Sequence, residues 1–204
     1  MIEGYRIQKI DRAEVLRYLG HTNQELGEEL DARLDDAIVR CLELARPRAV
    51  TAIFDVGERA TLPGGMPVIH LLGCSLKLVG NSMRKHMSGA TKVGVMAVTI
   101  GMAVERELRR LSLTNGLDQA LFDAAATTLV ERAADAAEAT IVARAHELGL
   151  FTNARFSPGY GDMPLETQPT LLDTLDARRR LGITLSPSLL MTPTKSITAV
   201  VGLF

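Results

Sequence analysis

The densest set of ligand-capable groups in the chain lies in the ten residues Arg155-Phe156-Ser157-Pro158-Gly159-Tyr160-Gly161-Asp162-Met163-Pro164. They offer a guanidinium, backbone amides opened by two glycines, and a phenol. Arg155 has the fork that grips a carboxylate bidentately. Gly159 lets a ligand approach the backbone, and Tyr160 adds a ring face and a hydroxyl. That set suits an amino-acid carboxylate. The same residues also read as a loop stapled by an arginine ion pair, with tyrosine packed over proline, and from spacing alone that is the preferred reading.

The remaining reactive side chains are dispersed. His21, His70, His86 and His146 never fall into HxH or HxxxH spacing, and Cys41 and Cys74 lie in no CxxC, so zinc and iron–sulfur ligation are not expected. Both cysteines read as small buried hydrophobes. Glu131, Arg132, Asp135 and Glu138 fall at helical spacing and read as surface charges, with one carboxylate beside a cleft as the alternative. Gly101, between a strand and a helix, could expose amides to a phosphate, but close packing is the simpler reading.

Composition excludes more than it suggests. The 204 residues carry 23 Lys+Arg against 24 Asp+Glu, a net charge of −1, without the basic footprint of a nucleic-acid binder. Aromatic residues are 4% and Trp is absent, which leaves no base-stacking platform. The uncharged apolar run from Val93 to Val104 falls short of the roughly 20 residues a spanning helix needs, and no export signal precedes it. The expectation is a cytoplasmic protein without membrane contact.

These groups must be held by elements that the pattern outlines. Tyr5–Ile10 alternates like a strand, and Asp11 caps a helix to about Tyr18. Thr22-Asn23-Gln24-Glu25 has the form of a capping box before an amphipathic helix ended by Pro47. Strands follow at Ala49–Phe54 and Val68–Leu72, a helix from Gly80-Asn81-Ser82 to Ser88-Gly89, a buried strand at Thr91–Thr99, and a further helix from Ile100-Gly101-Met102. An Ala-rich helix runs from Asp118 to Glu147 and closes at Gly149. After the loop come a helix from about Thr167 to Arg180 and three strand-like stretches, Ile183–Leu185, Leu189–Met191 and Ser196–Leu203. The expected fold is a single α+β domain over 1–204 with a bent mixed or antiparallel sheet flanked by helices, a helical/β part at 1–150 and the ligand loop with its helix and strands at 151–204.

In this order the C-terminal residues resemble the S-adenosylmethionine-binding activation domain of cobalamin-dependent methionine synthase. Arg155-Phe156-Ser157-Pro158-Gly159-Tyr160 is similar to that family's Arg-x-x-x-Gly-Tyr motif. Leu181-Gly182-Ile183-Thr184-Leu185 and Met191-Thr192-Pro193-Thr194-Lys195-Ser196 follow like its Gly-x-x-Leu-Thr and Met-x-Pro-x-x-Ser segments. The N-terminal two thirds resembles the family's short stand-alone members. After Ser196 the chain departs, reading Ile197-Thr198-Ala199-Val200 where the fused domain has a second Ser, a Gly and an aromatic residue.

The resemblance implies a reactivation component that binds S-adenosylmethionine for the reductive methylation of cob(II)alamin, a methyltransferase step in methionine biosynthesis. Arg155 would hold the methionyl carboxylate, Gly159 and Tyr160 would shape the pocket, and Pro158 would fix the loop. Met191, Pro193 and Ser196 would build the wall near the nucleoside, and Glu131 would stand near the ribose. Methyl transfer from a sulfonium needs positioning rather than a general base, so no catalytic residue is expected. The chain has no Asp-x-His-x-x-Gly corrinoid motif. The implied partners are therefore a corrinoid-binding methionine synthase lacking its own activation domain, which supplies the cobalamin, and flavodoxin or ferredoxin as electron donor. A non-catalytic docking or capping module for a corrinoid protein, or an activator of another corrinoid methyltransferase system, are the alternatives.

Overall fold

The computed structural model describes residues 2–21 and 26–204, so the expected capping box at Thr22–Glu25 lies outside the described residues. The elements are β1 (Ile2–Gly4), α1 (Arg12–Tyr18), α2 (Glu28–Leu44), β2 (Arg48–Thr61), β3 (Pro67–Leu71), β4 (Lys77–Val79), α3 (Asn81–His86), β5 (Lys92–Thr99), α4 (Met102–Thr114) and α5 (Gly116–Glu147), followed by α6 (Thr167–Thr174), α7 (Ala177–Leu181), β6 (Thr184–Leu185), β7 (Met191–Thr192) and β8 (Ser196–Leu203).

The main sheet runs β4-β3-β2-β5-β8, with β1 also on β2, and every pairing is antiparallel. The parallel pairs that a mixed sheet would need do not occur in it. β5, Lys-Val-Gly-Val-Met-Ala-Val-Thr, is buried along almost its whole length between β2 and β8, because helices cover both faces. Met96 and Val98 enter the core shared with α2, α4 and α5, while Val93, Val95 and Ala97 enter a second core with α3, α6 and α7. β2 is longer than its apolar run suggests. Its first half pairs with β5, its second half with β3, and a register shift between Val56 and Arg59 separates them where the sheet curls.

α5 is the central beam, 32 residues or about 48 Å at 1.5 Å per residue. Its alanines allow the sheet to come close. A Cβ on Gly94 would lie 2.5 Å from Cγ2 of Ile141, so β5 must carry glycine where α5 crosses it. Asn115 caps the start of α5 through the amides of Leu117 and Asp118, and Gly149, at φ 71°, follows its end as expected.

Other expectations change. Residues 5–10 form no strand: β1 ends at Gly4, and Tyr5 keeps one backbone bond, to the Pro47 carbonyl. The segment instead packs Tyr5, Ile7 and Ile10 into the α5-side core. Asp11 does cap α1, through the amide of Ala13. The helix expected from Thr167 to Arg180 is two helices, broken where Asp176 takes φ 52° and pairs with Arg179 and Arg180. Cys41 is fully buried, and that burial pushes its thiol up to about 12; Cys74 is only partly buried. None of the helices among the described residues is long and apolar enough to cross a membrane.

Candidate functional site

β8 is the last strand of the sheet, and its outer edge is only half covered. Residues 151–156 run antiparallel along it: Phe151 exchanges backbone bonds with Phe204, Asn153 bonds Gly202 through backbone and side chain, and Phe156 exchanges bonds with Val200. At Ser157 the chain leaves. Pairing alternates by two residues, so the N–H and C=O of Thr198 face the same edge as those of Val200, with no strand partner among the described residues.

A cleft of about 590 Å³ opens there. The loop contributes Arg155, Ser157, Pro158 and Tyr160, α5 contributes Glu131, α6 contributes Gln168, and Thr194, Ser196 and Thr198 come from β8 and the turn before it. Leu165, Leu189, Leu190, Met191 and Ile197 make the apolar wall.

One face of α5 supplies the charge. Asp123, Thr127, Glu131, Asp135 and Glu138 recur at steps of four and three, which aligns them on one helix face. Two cations fasten β8 and the loop to that stripe. Lys195 Nζ donates to Thr127 Oγ1 and pairs with Asp123, each at 2.8 Å. Arg155 donates from Nη1 to Asp135 (2.8 Å) and Glu138 (2.5 Å), and from Nη2 to Glu131 (2.9 Å); its backbone amide also donates to Glu138. Burial works against the Arg155 charge, but the bonds to Asp135, Glu138 and Glu131 outweigh it and raise the guanidinium pKa. A guanidinium has five N–H donors. Three are used here, so two remain without a partner among the described residues, on a side chain that lines the cleft.

The stapled-loop reading thus describes part of Arg155, and the open donors leave room for the carboxylate reading. Tyr160 is 69% exposed, while Pro158 is buried beneath the loop. Gly159, at φ 89°, donates to the Met163 carbonyl; it shapes the turn and is not among the cleft-lining residues. Asp162 anchors the far side by accepting from the amides of Asn81 and Ser82 at the start of α3, and those bonds lower its pKa.

The wall expected from Pro193 and Ser196 is built around Glu105. This α4 carboxylate accepts from the Thr194 amide (2.8 Å) and hydroxyl (2.7 Å) and from Arg109. Burial would raise its pKa, yet these bonds lower it. Pro193 is buried behind the cleft, its carbonyl accepting from the Ser196 hydroxyl, while Ser196 itself lines the cleft. The structure therefore brings Arg155, Pro158, Tyr160, Glu131 and Ser196 to one cleft and leaves Gly159 and Pro193 as its supports. Among the described residues no group of His, Cys, Asp or Glu is arranged to hold a metal.

Two lining residues escape sequence reasoning. Gln168 is 2% exposed; its Oε1 accepts from Thr198 Oγ1 (2.9 Å) and its Nε2 lies 3.0 Å from Met191 Sδ. Neither Gln168 nor Thr198 belongs to a motif, and the spacing of thirty residues between them carries no signal.

No family profile matches the sequence, and no curated protein matches it. Among solved structures, the crystal structure of the MetH reactivation domain bound to AdoHcy (S-adenosylhomocysteine) superposes with a TM-score of 0.69 at 16% identity, covering 99% of this chain and 77% of that one. At that identity the likeness speaks for the fold: a curled antiparallel sheet flanked by helices, as in that domain.

Proposed function

We propose that this chain is a reactivation component for a cobalamin-dependent methionine synthase, acting in trans and binding S-adenosylmethionine in the cleft beside β8. The observation that carries the reading is Arg155: a guanidinium fixed by three carboxylates, with two donors left over, on the wall of a cleft roomy enough for a nucleoside joined to an amino acid. The fold likeness to a reactivation domain solved with S-adenosylhomocysteine agrees with it.

The donor set fits that ligand. The free edge of Arg155 would take the carboxylate, and the Leu165, Leu189, Leu190 and Met191 wall offers an apolar surface for a flat base. Glu131, Asp135 and Glu138 place more negative charge at the site than Arg155 neutralises, which favours a cationic ligand over its neutral counterpart. When bound, the sulfonium supplies an already activated methyl group. The chain's own part is to bind, orient and exclude water, for which no titrating base is required.

The test is reactivation of a methionine synthase loaded with cob(II)alamin, given S-adenosylmethionine and a low-potential reductant. Return of turnover only when this protein is added supports the proposal. Equal recovery without it overturns the proposal.

A further inference from the structure

We propose that Gln168 is a specificity-determining residue of the cleft, donating from its side-chain amide to a ring-nitrogen acceptor of the ligand's purine. The inference rests on the reading of the cleft as an S-adenosyl site.

The neighbours of Gln168 fix its orientation. With Nε2 toward Met191, the amide donates to sulfur at 3.0 Å and its oxygen accepts from Thr198 at 2.9 Å. The flipped amide would set Oε1 against the thioether at that distance, lone pair facing lone pair. The donor side therefore points to Met191. An amide nitrogen carries two N–H groups, and a thioether is a weak acceptor. One N–H meets only that sulfur, and the other has no partner among the described residues. With 2% of the residue exposed, solvent meets that donor only where Gln168 lines the cleft, so it is sparsely satisfied until a better acceptor takes that place.

The surroundings select the acceptor. Gln168 and Thr198 lie on the α6 side of β8 with Met191, Leu165, Leu189 and Leu190 nearby in the lining, whereas Arg155 and the carboxylates stand on the α5 side. A flat heteroaromatic ring with an in-plane nitrogen fits the first environment, and a charged amino-acid end fits the second. Thr198 contributes twice, holding the amide through its hydroxyl and presenting its unpaired backbone groups at the same edge.

The test is calorimetric titration with S-adenosylhomocysteine and its 1-deaza, 3-deaza and 7-deaza analogues, using wild type, Gln168→Met and Gln168→Glu. The Glu variant keeps an acceptor for Thr198 while removing the amide donor. We expect one analogue to bind wild type about tenfold more weakly than the parent. That analogue should show no further loss in either variant, a non-additivity that a merely structural role would not produce. If all three analogues bind wild type as the parent does, or if the loss is equal in wild type and variants, Gln168 does not read the base, and the S-adenosyl reading survives. If wild type fails to bind the parent compound, the reading of the cleft falls, and the inference falls with it. If both variants fail to fold, the wild-type series still overturns the proposal when none of the three analogues binds more weakly than the parent.

Discussion

Where α5 crosses β5, a Cβ on Gly94 would stand 2.5 Å from Ile141, and the surrounding side chains are fully buried. Along the outer edge of β8, by contrast, two Arg155 donors, the Gln168 amide and the Thr198 backbone have no full complement of partners among the described residues. One region satisfies itself through apolar contact; the other is held by polar bonds that stop short of saturation. Packing this tight leaves no room for a ligand, while buried polar groups left wanting partners define a place for one. The rigid contact also positions the open one, since α5 carries both Ile141 and the carboxylates that fix Arg155.

The contrast can be broken first at its apolar side. Ile141→Ala should cost about 2–5 kcal/mol, seen in denaturant unfolding, because the cavity is enclosed by α5 and the sheet. A loss under 1 kcal/mol would mean that the contact relaxes and is not the rigid frame described.

Next comes the polar side. Arg155→Ala should weaken S-adenosylmethionine binding by about 1.5–3 kcal/mol, the range for hydrogen bonds to charged groups. It should also loosen the 151–156 segment, because Glu131, Asp135 and Glu138 are left facing one another, and hydrogen exchange at Phe156 would report this. Unchanged affinity would assign Arg155 to stapling alone.

A smaller effect is expected in acid, at the turn before β8. Glu105 has a lowered pKa in the folded protein, so its contribution is fully present above the unfolded value, near 4.3, and is lost as pH falls through the folded one. The melting temperature of wild type should therefore fall more steeply in acid than that of Glu105→Gln, with the two profiles converging at low pH. Parallel profiles would show that the Thr194 bonds do not hold the turn.

Much of this frame is legible in the residues, for physical reasons. The α5 pattern survives because alanine forms helix without help from its neighbours, and Gly149 marks its end. β5 is plain because both its faces are buried. β2 hides its second half: Asp55, Gly57, Glu58 and Arg59 break the alternation, and the strand continues past Asp55, the last residue paired with β5, because Val56, Arg59, Ala60 and Thr61 pair with β3. The break at Asp176 is invisible because a left-handed aspartate looks like any helical one in sequence. At the site, Arg155 to Tyr160 stands out because glycine, proline and arginine crowd together. Gln168 looks like any helix residue, and its meaning comes from Thr198 and Met191, which only the folded chain brings to it.

The most direct test of the cleft is equilibrium titration of the protein with S-adenosylmethionine and, separately, with S-adenosylhomocysteine. Saturable binding of one ligand per chain is expected in both cases, tighter for the sulfonium because the carboxylates around Arg155 outnumber it. Absence of saturable binding for both ligands would contradict the S-adenosyl reading of the cleft.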